Sequence, residues 1–206
     1  MKAPKIIEKY GATCTSPRKG AKPAWVVVHY TGTANASAEA IARGFSRKNA
    51  STSAHYVVDG SSIYMCVDES KAAWHVCDGQ PDSRYAGVRH AEQWHAAVDP
   101  IHKFRGNRNS IAVELCVKKE NTASKRVEDL DWVIPQEELE LAADLIAWIC
   151  ARRGISTRRV LRHYDATGKN CPRPLVTMPR DPDDSRDELW CEFKRMIARR
   201  LNDANA

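Results

Sequence analysis

No stretch of this 206-residue chain is apolar for long enough to span a bilayer, so insertion into a membrane is not expected. The first twenty residues, MKAPKIIEKYGATCTSPRKG, carry charge but neither the apolar core nor the small-residue cleavage site of a secretory signal. The expectation is synthesis in the cytoplasm without a signal peptide. No C-x-x-C pair occurs. The seven cysteines, Cys14, Cys66, Cys77, Cys116, Cys150, Cys171 and Cys191, are scattered and odd in number. That argues against a disulfide framework and for buried thiols, with one or two left for chemistry. There is no zinc-finger or RNP-type motif, and Lys and Arg are spread along the chain, so nucleic acid is not an expected partner. The net charge of +6 still suits an acidic partner, and on charge alone nucleic acid, a membrane surface and an anionic cell-wall polymer all fit. Internal repeats, low-complexity tracts and a linker to a second domain are all missing.

What is present reads as one globular unit: 43% hydrophobic and 28% charged residues over a length that can bury a good core. Residues 1–23 are polar and rich in Pro and Lys, a tail or strap ahead of a domain over 24–206. AWVVVHY is a buried central strand, and SAHYVVDGSSIYMCV is a hairpin around DGSS. SIAVELCV and RRVLRHY are further strands. SAEAIARGFSRKN is a helix with Ser37 as cap. PQEELELAADLIAWICARRG is the clearest helix, bounded by Pro135 and Gly154. SRDELWCEFKRMIARRL opens with a capping-box pattern, Ser185-x-x-Glu188. Alternation of strands and helices predicts a single α/β domain, a central mixed β-sheet flanked by α-helices. Asp68 to Asn109 shows little periodicity and reads as one long loop. It holds Trp94, His95 and His102, for which the sequence suggests no site.

The stretch RHYDATGKNCPRP, Arg162 to Pro174, puts a histidine, a lysine and a cysteine close together. His29 and His163 each stand at the end of an expected strand, where α/β sheets place their ligands. With Cys171 they make a His/His/Cys set, three protein ligands and one open position, the pattern of catalytic rather than structural zinc. The alternative is a pair of hydrogen-bonded core histidines and a buried thiol, and spacing alone leaves both open.

The motifs VVVHYTG, SAHYVVDG, AAWHVCDG, NRNSIAVELCV and LRHYDATGKNCPRP follow one another in the order, and at about the spacing, of zinc-dependent N-acetylmuramoyl-L-alanine amidases. The chain resembles that family from about Trp25 to Pro174. The family includes amidase-type phage lysozymes and peptidoglycan recognition proteins, and the chain looks most like endolysins of phages of Gram-positive hosts. The resemblance implies one zinc ion held by His29, His163 and Cys171, and peptidoglycan as substrate, cut between N-acetylmuramic acid and L-alanine. It implies an assisting role for Lys169 and an acid/base role for Glu114 or Tyr56. Strand alternation puts Ala112, Glu114 and Cys116 on one face, so covering that face should raise the glutamate's pKa. Trp74 and His75 are candidate walls of a sugar–peptide groove. Tyr56 and His55 fall on opposite faces of their strand, and His55 reads as structural. Asn109 reads as holding a turn. Two departures from the family pattern, Cys77 and Ala112 where glycine is common, touch no presumed ligand. Two other functions fit the resemblance: a peptidoglycan-binding module without activity, in which the cysteine ligand is usually lost, and a cytosolic muropeptide-recycling amidase. The lysin reading places action at the cell wall after release.

Overall fold

The computed structural model describes residues 1–76, 103–124 and 126–203. Its core begins with Val26, Val27 and Val28, whose branched carbons suit a pleated strand covered on both sides. They lie in β2 (Trp25–Ala34), buried at every position from Trp25 through Tyr30. Two parallel partners flank it, β6 (Ser110–Lys119) and β8 (Val160–Arg162). β6 in turn pairs in parallel with β3 (Tyr56–Val58), and β3 pairs antiparallel with β4 (Ile63–Met65). The strand order is β4-β3-β6-β2-β8, with β7 (Trp132–Val133) antiparallel to the end of β6. The sheet is therefore mixed, as expected. β1 (Thr15–Pro17) and β5 (Lys71–Ala73) form a small antiparallel ribbon of their own.

Helices cover the two faces unequally. On one face Val26, Val28, Ile111, Val113 and Leu115 meet α2 (Gln136–Arg153) and α4 (Ser185–Asp203) through Leu139, Ile146, Ile149, Phe193 and Ile197. Among the described residues the other face receives the short α1 (Ala38–Phe45) through Ala38 and Ala42, and farther along it Val27 and Leu161 pack with Val76 and Ala166. Ala166 belongs to α3 (His163–Thr167).

Most expected boundaries hold for physical reasons. The Ser37 hydroxyl accepts from the Ala40 amide at 3.3 Å, satisfying a donor that the first turn leaves unpaired. Gly154 ends α2 at φ 64°, a left-handed conformation that glycine adopts without strain. In the hairpin turn the Asp59 carboxylate accepts from the amides of Ser61 and Ser62. The capping box of α4 does not form as read. Ser185 is already the first helical residue, its hydroxyl donates to Asp183, and the Asp184 carbonyl takes the amides of Asp187 and Glu188. The Thr177 hydroxyl also accepts the Asp187 amide, at 3.1 Å, a partner from outside the helix.

Residues 1–23 lie along the domain. Ile7 bridges to Tyr64, the Ala12 amide donates to the Cys66 carbonyl, and β1 follows. Arg18 is buried, and its guanidinium donates to the carbonyls of Glu69, Asn107, Arg108 and Ser110. The aperiodic segment contains β5 at one end and a 3-10 turn, Gly106–Arg108, at the other. Cys77, Trp94, His95 and His102 lie outside the described residues.

One buried charge stands apart from any site. Glu138 is 2% exposed and its Oε1 has no partner. Burial, then the nearby Asp59 charge, pushes its carboxyl from 4.5 up to about 8. The unfolded chain loses this proton first as pH rises, so folding is favoured below 4.5 and that contribution is lost as pH climbs toward about 8. Glu138→Gln, neutral throughout, should change the melting temperature little at pH 4.5 and raise it increasingly up to pH ~8, by about 2–4 °C for each kcal/mol regained. A difference that does not vary with pH would show that the carboxyl is ionised normally in the folded protein.

Candidate metal centre

Parallel pairing fixes the first half of the site. β2 and β6 run in register with His29 beside Glu114. Residues paired in this way share a face of the sheet, here the one that the long helices leave alone. His29 lies inside β2 rather than at its end, because the strand continues past an irregularity between Tyr30 and Ala34. His163 was expected to end a strand as well, but β8 stops at Arg162 and His163 opens α3. The switch is held by Asp165, whose carboxylate accepts the Arg162 amide at 2.8 Å and pairs with its guanidinium. Gly168 ends the helix at φ 82°. The chain then turns back: the Tyr164 amide donates to the Cys171 carbonyl at 2.8 Å.

Those turns bring His29, His163 and Cys171 together. All three are buried, and one ligating atom from each lies within 4.8 Å of the others. His29 Nδ1 faces Cys171 Sγ at 3.8 Å. Two donors on one tetrahedral zinc, at Zn–N of about 2.0 Å and Zn–S of about 2.3 Å, would stand roughly 3.5 Å apart. His163 Nδ1 is buried with no hydrogen-bond partner, an orphaned acceptor that a cation would satisfy. The donor set thus fits a divalent metal. Among the described residues this is the one group of three or more His, Cys, Asp or Glu side chains so arranged.

The electrostatics agree with that chemistry. Burial first, then neighbouring positive groups including Lys169, hold His29 and His163 well below the ordinary imidazole range, so both offer lone pairs. Burial, then the charge of Glu114, pushes the Cys171 thiol up to about 12. A cation at the centre reverses the thiol's preference, since coordination deprotonates it outright. Glu114 has one carboxylate oxygen without a partner, and burial raises its carboxyl to about 8 against the opposing pull of Lys169. The expected rise on a covered face is what the fold produces.

The remaining sequence candidates fall in three places. His75 touches the centre: its Nδ1 is 2.9 Å from His29 Nε2, and its Nε2 is 3.0 Å from Ser110 Oγ. Trp74, one residue earlier, keeps 45% of its surface exposed. Tyr56 is not brought to the group. Its register partner is Val113 while Val57 pairs with Glu114, so Tyr56 points to the opposite face. There its hydroxyl donates to Glu69 Oε1 at 2.7 Å, beside Arg152 and Arg153, in a cleft of about 520 Å³. The histidine read as structural, His55, is the one on the metal side of that strand, its ring 6.2 Å from that of His75. It is also saturated, with Nδ1 accepting the Ala112 amide and Nε2 between Arg18 and the Lys71 carbonyl. Asn109 caps its turn as read, accepting the Arg105 amide and donating to the Lys103 carbonyl. Sequence reading missed Ser110 and Asn107. Asn107 Oδ1 accepts the amides of both His75 and Val76. Neither residue carries a periodic or spacing signal of its own.

Comparison with known proteins places this geometry. Residues 19–174 match the family model described as N-acetylmuramoyl-L-alanine amidase. The chain belongs to that amidase family. CwlL of Bacillus licheniformis, named an N-acetylmuramoyl-L-alanine amidase, is 32% identical over 84% of this chain and 43% of its own length. The chain thus spans less than half of that relative, and of the next two curated relatives it covers 43% and 41%. Among solved structures, the catalytic domain of XlyA superposes with a TM-score of 0.61 at 25% identity, covering 94% of this chain and 99% of that one. A mutant endolysin from Bacillus subtilis gives 0.60 at 26% identity, over 94% and 98%. The α/β fold is that of amidase catalytic domains, and no helix among the described residues is long and apolar enough to cross a membrane.

The loop that carries Cys171 depends on one ion pair. Arg173 is 1% exposed, and its guanidinium makes two bonds of 2.7 Å to Asp181 and further bonds to the carbonyls of Val176 and Glu128. Arg173→Met would leave Asp181 as an uncompensated, nearly buried charge and should destabilise the protein by about 3–5 kcal/mol in urea titration. A loss below about 1 kcal/mol, the scale of a surface pair, would show that the pair does not hold this loop.

Proposed function

We propose that this protein is a zinc-dependent peptidoglycan hydrolase, cleaving the amide that joins the lactyl group of N-acetylmuramic acid to L-alanine at the bacterial cell wall. The observation that carries the reading is the convergence of His29, His163 and Cys171 on one buried point beside Glu114, in a member of the amidase family. When bound there, zinc supplies Lewis acidity and makes water nucleophilic near neutral pH. The side chains around it divide the remaining work. Glu114, buried and with a free carboxylate oxygen, takes the proton of the attacking water and returns it to the departing amine of alanine. Lys169 brings a positive charge near the same carboxylate and stabilises the negative charge that grows on the carbonyl oxygen, a contribution of roughly 3 kcal/mol for one well-placed donor. Trp74 offers an exposed aromatic face to the sugar end of the substrate. Tyr56, committed to Glu69 across the sheet, has a structural role in this scheme.

Four outcomes are expected. Elemental analysis of purified protein should find about one zinc per chain, as a three-ligand centre requires, and a metal-free protein with full activity would end the mechanism. Cys171→Ser should abolish wall clearing while the far-ultraviolet circular dichroism is kept; full activity would remove the thiol from the ligand set. Glu114→Gln should lower kcat by about 10²- to 10⁴-fold with little change in KM, and an unaltered kcat would move the proton work elsewhere. Mass spectrometry of digested walls reads the bond itself: new N-terminal alanine and free muramyl lactyl ends support the reading, and any other pair of ends overturns it.

A further inference from the structure

His75 matched a motif read as groove lining, yet its two ring nitrogens are both engaged inside the protein, and the hydrogen bonds they make have only one consistent direction. The chain of contacts runs from Gly106 to the metal centre. The Ser110 hydroxyl lies 2.7 Å from the Gly106 carbonyl. A carbonyl can only accept, so the single hydroxyl hydrogen is spent there. Ser110 Oγ must therefore accept at its other contact, 3.0 Å from His75 Nε2, and that nitrogen carries a hydrogen. His75 Nδ1 is then a bare acceptor, and at 2.9 Å it takes the hydrogen of His29 Nε2. His29, neutral, is left with its lone pair on Nδ1, the atom that faces Cys171 at 3.8 Å. The opposite order would place a hydrogen on His29 Nδ1, against the other donors of the centre. It would also oblige His75 to accept at Nε2, for which Ser110 has no hydrogen left.

The rest of the geometry holds the chain in place. Asn107 Oδ1 fixes the peptide of His75 through two amides at 3.0 and 2.9 Å. The Ser110 carbonyl is taken by the Arg18 guanidinium at 3.1 Å, so the residue that starts the chain is anchored from both sides. The His29 and His75 rings stand nearly perpendicular, at 83°, with centroids 5.0 Å apart.

We propose that His75, oriented by Ser110 and the Gly106 carbonyl, is a positioning residue that sets the tautomer and rotation of His29, so that Nδ1 is presented as a ligand before any metal arrives. The inference rests on the zinc reading above for its purpose, but not for its geometry. Outer partners of metal-binding histidines are commonly carboxylates, carbonyls or water, and their loss weakens metal binding by about 10–100-fold. Here the partner is a second neutral imidazole, which both accepts and relays the order of the hydrogens.

Two measurements test it. Zinc affinity, read by competition with a chromogenic chelator, should fall about 10–100-fold in His75→Leu. It should remain within a few-fold of the parent in His75→Asn, whose amide oxygen can take the place of Nδ1. Ser110→Ala, which removes the acceptor for His75, should fall between them. Independently, long-range proton–nitrogen correlation spectra of the metal-free parent, labelled at histidine nitrogen, should show His29 protonated at Nε2 alone. Equal zinc affinity in the parent and His75→Leu would overturn the proposal, and so would a hydrogen on His29 Nδ1. If the parent itself binds no zinc, the metal reading fails while the spectra still decide the order of the hydrogens. If His75→Leu does not fold, the parent spectra and His75→Asn carry the test.

Discussion

The parallel pairing of β2 with β6 is the constraint from which the site follows. Its register sets His29 beside Glu114 and, by strand alternation, sends their neighbours Val28 and Val113 into the packed core on the other side. A slip of one residue would exchange the two sets, burying a histidine and a glutamate against α2 and α4. Burial of valines thus fixes at once where a buried histidine and a buried glutamate stand side by side. β8 extends the same logic, pairing Val28 with Arg162 and delivering His163 one residue later.

Around this frame, charge is handled by enclosure. Arg18, Arg173 and Glu69 are all at most 5% exposed, and each has several partners. Arg18 satisfies backbone carbonyls, Arg173 closes on Asp181, and Glu69 gathers Tyr56, Arg152 and Arg153. The metal centre is built the other way. Its histidines are kept neutral and its thiol protonated by burial, and two of its polar atoms, His163 Nδ1 and Glu114 Oε2, lack partners. The two orphaned atoms of the centre stand close together on one face of the sheet, where a bound ligand would supply what is missing.

Much of this was legible in the residues. β-branched runs located β2 and β6, and the proline and glycine around residues 136–153 bounded α2. The histidines and the cysteine could be named because their type suits a metal, and the family motifs selected them from the other polar residues. What could not be read was which way two aromatic neighbours point. Tyr56 and His55 alternate, as expected, but which one shares a face with His29 and Glu114 depends on the register of β3 against β6, a long-range fact. His163 illustrates a local limit: a strand that turns into a helix within one residue looks, in sequence, like a strand one residue longer. The Ser110–His75–His29 chain joins residues 35 and 46 positions apart, and no local pattern announces it.

The unequal dressing of the two faces has a practical side. Two long helices seal one face of the sheet with most of the large aliphatic core, and among the described residues the other carries two short helices and the cluster of His29, His163 and Cys171. Thermostabilising redesign can therefore be confined to the sealed side, where Leu145 and Phe193 lie across the sheet from that cluster.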